Sequence, residues 1–330
     1  MKNLRLYFLF FSGILLLSCN EPQQRIARSV GATSEILVVT QNLKQWQGSE
    51  GEALRAYFEQ DQYGLPQSEP IFKLTNINVV NLSEMFKKHR NLIVVEIDPK
   101  LDKAVVETRS DLWSKPQRVI KITAPDTISW MEAFDANKEG FKILFDRSER
   151  ERLMNIFKPT AKLKVMEPIQ KKFGVKLIVP EGFYVAKDET NFLWVRKETN
   201  DFSQALIFYS IPYRDTLALT PQQVIRVRDS VVKQHIPGPS AGSFMSTDKE
   251  FILPQVKNTI HFITDFAVET RGVWNVEGDF MAGPFVSYTI IDQRNSRLLT
   301  LEGYVYAPNK PKRDHLRQLE AILYSLEIEE

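Results

Sequence analysis

In the first half of the chain, short apolar runs alternate with stretches whose apolar residues recur at every third or fourth position. Glu35-Ile36-Leu37-Val38-Val39-Thr40 is apolar and β-branched, which predicts a buried strand. Behind Gly48-Ser49, Leu54, Tyr57 and Phe58 share one helical face. Tyr63-Gly64-Leu65-Pro66 is a break. Ile71 to Leu82 reads as a strand, and Ser83 to Arg90 as a short helix with Met85 and Phe86 on its inner side. Asn91-Leu92-Ile93-Val94-Val95-Glu96-Ile97 is a second buried strand, closed by Asp98-Pro99, and strands near 104–109 and 117–124 follow.

A charged, helical middle spans about 127–173. Gly140, Pro159 and Pro168 divide it, and Ser148 with Glu151 forms a capping box for a helix carrying Leu153, Ile156 and Phe157. After Val175 to Val179 and the turn Pro180-Glu181-Gly182, the segments Tyr184–Ala186, Phe192–Arg196 and Ala205–Ile211 read as an antiparallel meander. Thr220-Pro221-Gln222-Gln223 starts a helix that runs to His235 and stops at Pro237-Gly238. Strands at 258–270, 283–292 and 297–306 precede a last helix from about 311, whose Leu316, Leu319, Leu323 and Leu326 form one stripe for docking on a sheet. The pattern predicts an α/β (α+β) fold of two sheet-plus-helix domains, 35–158 and 159–330. The second is a mostly antiparallel sheet with a docked C-terminal helix. Leu65-Pro66-Gln67 and Leu253-Pro254-Gln255 each stand between a helix and a strand and hint at a repeat.

The start of the chain departs from this pattern. Lys2 and Arg5 lead an apolar run from Leu6 to Leu17, followed by Ser18 and Cys19, the single cysteine of 330 residues. The run is too short for a bilayer span, which needs about 20 residues. It has the layout of a bacterial lipoprotein signal peptide, residues 1–18, with Cys19 as the lipid attachment site. Acyl chains on Cys19 would hold the protein to a membrane. Residues 19–34 are polar and read as a flexible tether. Cleavage before Cys19 removes Lys2 and Arg5, which brings the 43 Lys+Arg down to the 41 of Asp+Glu. A neutral chain speaks against a nucleic-acid partner held by bulk charge. The expected partners are the membrane, through the lipid, and an envelope protein.

Several segments together resemble one family: the Leu6–Cys19 leader, Glu35–Val39, Leu65-Pro66-Gln67-Ser68-Glu69-Pro70 with Phe72, Arg90-Asn91-Leu92, Arg271-Gly272-Val273-Trp274, Met281-Ala282-Gly283-Pro284-Phe285, Gly303-Tyr304-Val305-Tyr306-Ala307-Pro308, Lys312-Arg313 and Leu319–Leu323. The chain resembles, over nearly its whole length, domain-of-unknown-function family 4837, lipoproteins of Bacteroidota. The resemblance implies an envelope lipoprotein and supplies no catalytic residue. Asn20-Glu21 is not the acidic cluster expected of surface export in that phylum, which favours a periplasm-facing position. The second half also resembles the PsbP and Mog1-like sandwich, an analogy of fold alone.

Motifs for chemistry are sparse. Gly238-Pro239-Ser240-Ala241-Gly242 matches a nucleophile-elbow pattern, with His261, Asp265 and His315 as conceivable partners. A helix rather than a strand precedes it, so it reads as a helix-ending loop. His89, His235, His261 and His315 have no metal-ligand spacing, and no cofactor motif is present. His89 and His235 lie near helix C-termini, where the dipole favours a partly cationic ring. The carboxylate neighbours Asp98/Asp102 and Glu132/Asp135 are unremarkable among so many acids. The segment from Arg271 to Phe285 is the most distinctive. One reading is a groove rim built from Arg271, Trp274, Asp279 and Met281, with Tyr304 and Tyr306 on the adjoining strand. The other is a β-hairpin whose Trp packs the core. The sequence therefore favours a non-enzymatic binding or assembly module, with a hydrolase or transferase acting on envelope material as the alternative.

Overall fold

The structure, a computed structural model, describes residues 26–329; Cys19 and the leader lie outside these residues. The N-terminal half contains β1 (Ala27–Arg28), β2 (Glu35–Thr40), α1 (Leu43–Gln47), α2 (Ser49–Phe58), β3 (Lys73–Asn78), α3 (Glu84–Lys87), β4 (Asn91–Ile97), β5 (Val105–Ser110), β6 (Ser114–Lys115), β7 (Arg118–Ala124) and α4 (Thr127–Phe157). Five strands form one sheet in the order β3-β2-β4-β7-β5, parallel except for β5. Alternation along β2, β4 and β7 sends Ile36, Val38, Ile93, Val95, Ile120 and Ile122 to one face, where α2 and α4 cover them. Leu37, Val39, Leu92 and Val119 point to the other face. That face is roofed by the 3₁₀ turn Val79–Asn81, by Leu82 and Phe86, and by Trp113.

The middle of the chain differs from its expected breaks. Helix α4 runs unbroken through 31 residues. Gly140 sits at an open surface, where it costs about 1 kcal/mol relative to Ala without ending the helix. Ser148 is fully buried inside α4 and caps nothing. Pro168 lies within α5 (Leu163–Phe173), whose Val165, Ile169 and Phe173 bury against the second sheet. Met85 was expected to face inward, but it is 63% exposed while Phe86 packs.

The C-terminal half adds β8 (Val175–Lys176), β9 (Tyr184–Glu189), β10 (Phe192–Glu198), β11 (Ser203–Pro212), α6 (Pro221–His235), β12 (Phe244–Thr247), β13 (Gln255–Thr259), β14 (Ala267–Glu277), β15 (Ala282–Asp292), β16 (Arg297–Tyr306), α7 (Arg313–Leu323) and β17 (Glu327–Ile328). The sheet order is β12-β14-β15-β16-β11-β10-β9, with β13 also on β14, and its strands are antiparallel. The expected strand at 258–270 is therefore two, β13 and a longer β14 that carries Trp274. Helices α5 and α7 cover one face and α6 the other. The stripe Leu316, Leu319, Leu323 and Leu326 is buried on the sheet as its spacing predicts. A Cβ on Gly303 would lie 2.8 Å from that of Leu319, so only glycine lets α7 come this close.

The halves interlock. Leu65 of the first half belongs to the core under α7. Tyr63 donates a hydrogen bond to the carbonyl of Leu253, and Arg317 of α7 pairs with Asp146 of α4 at 2.8 Å. The two Leu-Pro-Gln segments thus lie where the halves meet, and sheets of opposite kind give no sign of duplication. Residues 27–34, assigned to the tether by their polarity, are laid on the body. β1 pairs with β6, Val30 bridges to His89, and Ser34 is fully buried.

Candidate ligand-binding site

Strand β14 decides which of the distinctive residues can act together. Successive side chains point to opposite faces, so Arg271 and Trp274, three apart, cannot share a site. Arg271 faces α7 and Trp274 faces α6.

On the α7 side, a cleft of about 760 Å³ opens between the halves, with Asp146, Arg150, Glu269, Arg271, Arg317 and Glu320 among its walls. Arg271 lies 2.9 Å from Glu269 and also pairs with Glu320. The Tyr288 hydroxyl stands 2.8 Å from Glu320 and 3.0 Å from Glu269. Burial acts to raise the Glu269 carboxyl, but the Arg271 charge outweighs it, and the group is held down to about 2. Burial opposes the Arg271 charge, and Glu269 and Glu320 nevertheless hold the guanidinium well above its ordinary value. Arg271, Glu269, Glu320, Asp146 and Arg317 each find a partner of opposite sign. This is the arrangement of a clamp between α7, α4 and the sheet rather than of a poised acid or base.

On the α6 side, register builds a dent. Arg196 of β10 faces Ala205 of β11, which faces Tyr304 of β16; one step along, Glu198, Ser203 and Tyr306 are aligned in the same way. Ala205 and Ser203 are too small to fill the space between the large residues beside them. The result is a pocket of about 350 Å³ whose walls include Trp194, Trp274, Tyr304, Tyr306, Met245 and Met281. The chain from Ile236 to Pro239, just past α6, closes one side. Trp194 Nε1 donates to the Tyr304 hydroxyl at 3.0 Å, and Trp274 Nε1 donates to the carbonyl of Val305 at 3.2 Å. The Trp274 and Tyr304 rings meet edge to face, 5.4 Å apart. A Cβ on Gly283 would lie 3.0 Å from Trp274 Nε1 and 2.0 Å from the Val305 oxygen, so glycine here seats the indole.

A model of DUF4837, a domain of unknown function, matches residues 162–325. The C-terminal half belongs to that family. Residues 29–158 match a second model, DUF8532, also a domain of unknown function. The likeness to family 4837 thus extends over the second half, and Glu35–Val39, Leu65–Pro70 and Arg90–Leu92 fall within the residues that the other model matches. No curated protein matches the chain. Among solved structures, the Ran-binding protein Mog1p of Saccharomyces cerevisiae is similar at 8% identity. The match covers 47% of this chain and 90% of that one, with a TM-score of 0.31. LpqN of Mycobacterium tuberculosis, described as involved in cell envelope biogenesis, is similar at 13% identity, covering 47% and 83%, with a TM-score of 0.28.

Of the expected site residues, the DUF4837 half brings Trp274, Met281, Tyr304 and Tyr306 to one pocket and sends Arg271 to the opposite face. Trp274 is also core, only 2% exposed, so the hairpin reading and the groove reading each describe part of it. Asp279 occupies the β14–β15 turn beside Gly278 (φ +85°), where its carboxylate accepts a hydrogen bond from Ser240 at 3.2 Å and ties the 238–242 loop to the pocket rim. Ser240 lies between a helix and a strand, as a helix-ending loop should, and His315 lies across the sheet on α7, against Phe202. Burial lowers the His235 imidazole, which stacks on Phe192, the opposite direction to the partly cationic ring expected at the end of α6. Trp194, Met245 and Ile236–Pro239 were missed. The membership of Trp194 depends on strand order, since β10 reaches β16 only across β11, and that of Met245 on the pairing of β12 with β14. Among the described residues, no group of three or more His, Cys, Asp or Glu is placed to hold a metal ion, and no helix is long and apolar enough to cross a membrane.

Proposed function

We propose that this chain is a lipid-anchored cell-envelope protein whose DUF4837 half is a binding module, taking an apolar or aromatic side chain of a partner protein into the α6-face pocket. The observation that carries the reading is the pocket itself: two indoles, two phenols and two methionines around about 350 Å³. Tryptophan, tyrosine and methionine are the residues that interfaces concentrate. Phe280, fully exposed at the hairpin tip beside Met281, extends the apolar rim outward, which suits a macromolecular surface better than an enclosed metabolite. The pocket walls offer no nucleophile–base pair, and in the other cleft Glu269, Arg271, Glu320, Asp146 and Arg317 are paired with one another. The envelope part of the reading is supported by the leader and Cys19.

Two measurements test it. A photo-crosslinking amino acid at Phe280 of the full-length lipoprotein, activated in its own envelope, should give a discrete protein adduct. That adduct should be lost when Tyr306→Ala removes a pocket wall from a folded protein. An adduct indifferent to Tyr306, or none at all, overturns the binding site. Cys19→Ser should move the protein out of the membrane fraction and stop acyl labelling, and continued membrane residence overturns the anchor.

A further inference from the structure

The N-terminal sheet is covered unequally. Its first face lies under α2 and α4; its second has only the 3₁₀ turn, α3 and the β5–β7 connection. Around that thin roof, Val80 is 82% exposed, Met85 63% and Leu112 48%. Single exposed apolar residues are ordinary, but Leu112 lines one concavity of about 430 Å³ with Val79, Leu82, Val94 and Trp113, and Val80 is the chain neighbour of Val79.

The described chain begins on this surface. β1 pairs with β6 immediately after Trp113, and Val30 bonds to Lys88 at the end of α3. Ile26 and Val30 add two more exposed apolar side chains. Arg28, Lys87, Lys88 and Lys115 lie on the elements that carry the patch, with Glu84 and Asp111 among them, while at the concavity itself Arg109 pairs with Glu107 and Lys121 with Glu96, which leaves cations in excess. Between Cys19 and Ala27 lie eight residue steps, which even a fully extended chain cannot stretch beyond about 28 Å. A body held by acyl chains at Cys19 therefore keeps this patch near the headgroups.

We infer that the face carrying Val79, Val80, Met85, Leu112 and Trp113 rests on the phospholipid surface to which Cys19 is anchored. The inference depends on the lipid-anchor reading above. Apolar tips enter the headgroup–acyl boundary, Trp113 sits at interfacial depth, and the surrounding cations meet anionic headgroups. The acyl chains set the distance of the body from the membrane, and the patch sets its orientation.

Cys19 is the only native thiol, and lipidation occupies it, so one introduced cysteine can be labelled selectively. Full-length lipoproteins carrying Val80→Cys, Met85→Cys or Leu112→Cys are labelled with an environment-sensitive fluorophore. They are reconstituted in phosphatidylethanolamine–phosphatidylglycerol vesicles with and without brominated acyl chains. Ala136→Cys, on the exposed side of α4 behind the same sheet, is the reference. The expected result is a blue shift and loss of emission to bromine at 80, 85 and 112, with neither at 136. Vesicle-bound protein whose labels at 80, 85 and 112 behave like that at 136 overturns the inference and leaves the anchor standing. Protection in native membranes but not in vesicles overturns it in favour of a protein partner. Native full-length protein that proves to carry no acyl chain on Cys19 and does not float with vesicles overturns the anchor reading, and this inference with it; flotation is scored separately from emission.

Discussion

Glu69 caps a helix that begins at Arg313: its carboxylate accepts from the backbone N–H of Lys312 at 2.6 Å and from that of Arg313 at 3.1 Å. Helix α7 has no capping side chain of its own, and a negative charge there also meets the positive end of the helix dipole. Glu69→Ala should therefore cost about 1–2 kcal/mol, read as a lower urea midpoint with an unchanged slope. An unmoved midpoint would mean that water replaces the carboxylate.

Arg228 and Glu302 form an ion pair under α6, 1% and 0% exposed, with two bonds of 2.8 and 2.7 Å. The guanidinium also lies 3.8 Å from the Phe285 ring centre. Arg228→Met leaves the Glu302 carboxylate buried without its counter-ion and should destabilise by about 3–5 kcal/mol. Adding Glu302→Leu should recover most of that loss, since neither partner is then left alone. Chemical denaturation of the single and double variants checks it; a double variant no better than the single would show that the pair is essential to the fold itself.

The α7 cleft should make the protein acid-sensitive. Burial acts to raise Glu269, Glu320 and Asp146. Arg271 for the first two, and Arg317 for the third, hold them below their ordinary values. A carboxyl lowered by folding contributes stability above its unfolded pKa and loses it as pH falls through the folded value. For Glu269 that window runs from 4.5 down to about 2, a loss of about 3 kcal/mol. Urea titrations between about pH 6 and about pH 2 should show it, and Glu269→Gln should be less stable at the upper end with a flatter pH dependence.

The pocket depends on small residues between large ones. Ser203 is half-buried and lines the pocket, so Ser203→Phe should fill it from the floor. The expected outcome is loss of the Phe280 crosslink with a change in stability within about 1 kcal/mol. Retention of the crosslink would place the contact on Phe280 alone.

The elements that were legible in the sequence are those with an uninterrupted period. β2 and β4 are continuous apolar runs, and the leucine stripe of α7 docks where its spacing puts it. The α+β class follows from such elements. Local breakers misled where packing overrode them: Gly140 and Ser148 lie inside α4 because Phe141, Phe145 and Leu153 bury along one face. The candidate site was half legible. Trp274, Tyr304 and Tyr306 stand out by type, but the apolar pattern ends the strand at 270, whereas β14 runs to Glu277 and its alternation separates Arg271 from Trp274. Trp194 joins Tyr304 across a third strand, a neighbour that no spacing along the chain records.

Leu65 and Glu69 lie outside the DUF4837 match, yet one completes the core beneath α7 and the other caps that helix. The boundary of the family match therefore leaves out two side chains that pack and cap its last helix. A fragment starting at residue 162 would have a hole where Leu65 sits and bare amides at the head of its last helix. The first half of the chain thus supplies the second with a hydrophobic plug and a helix cap.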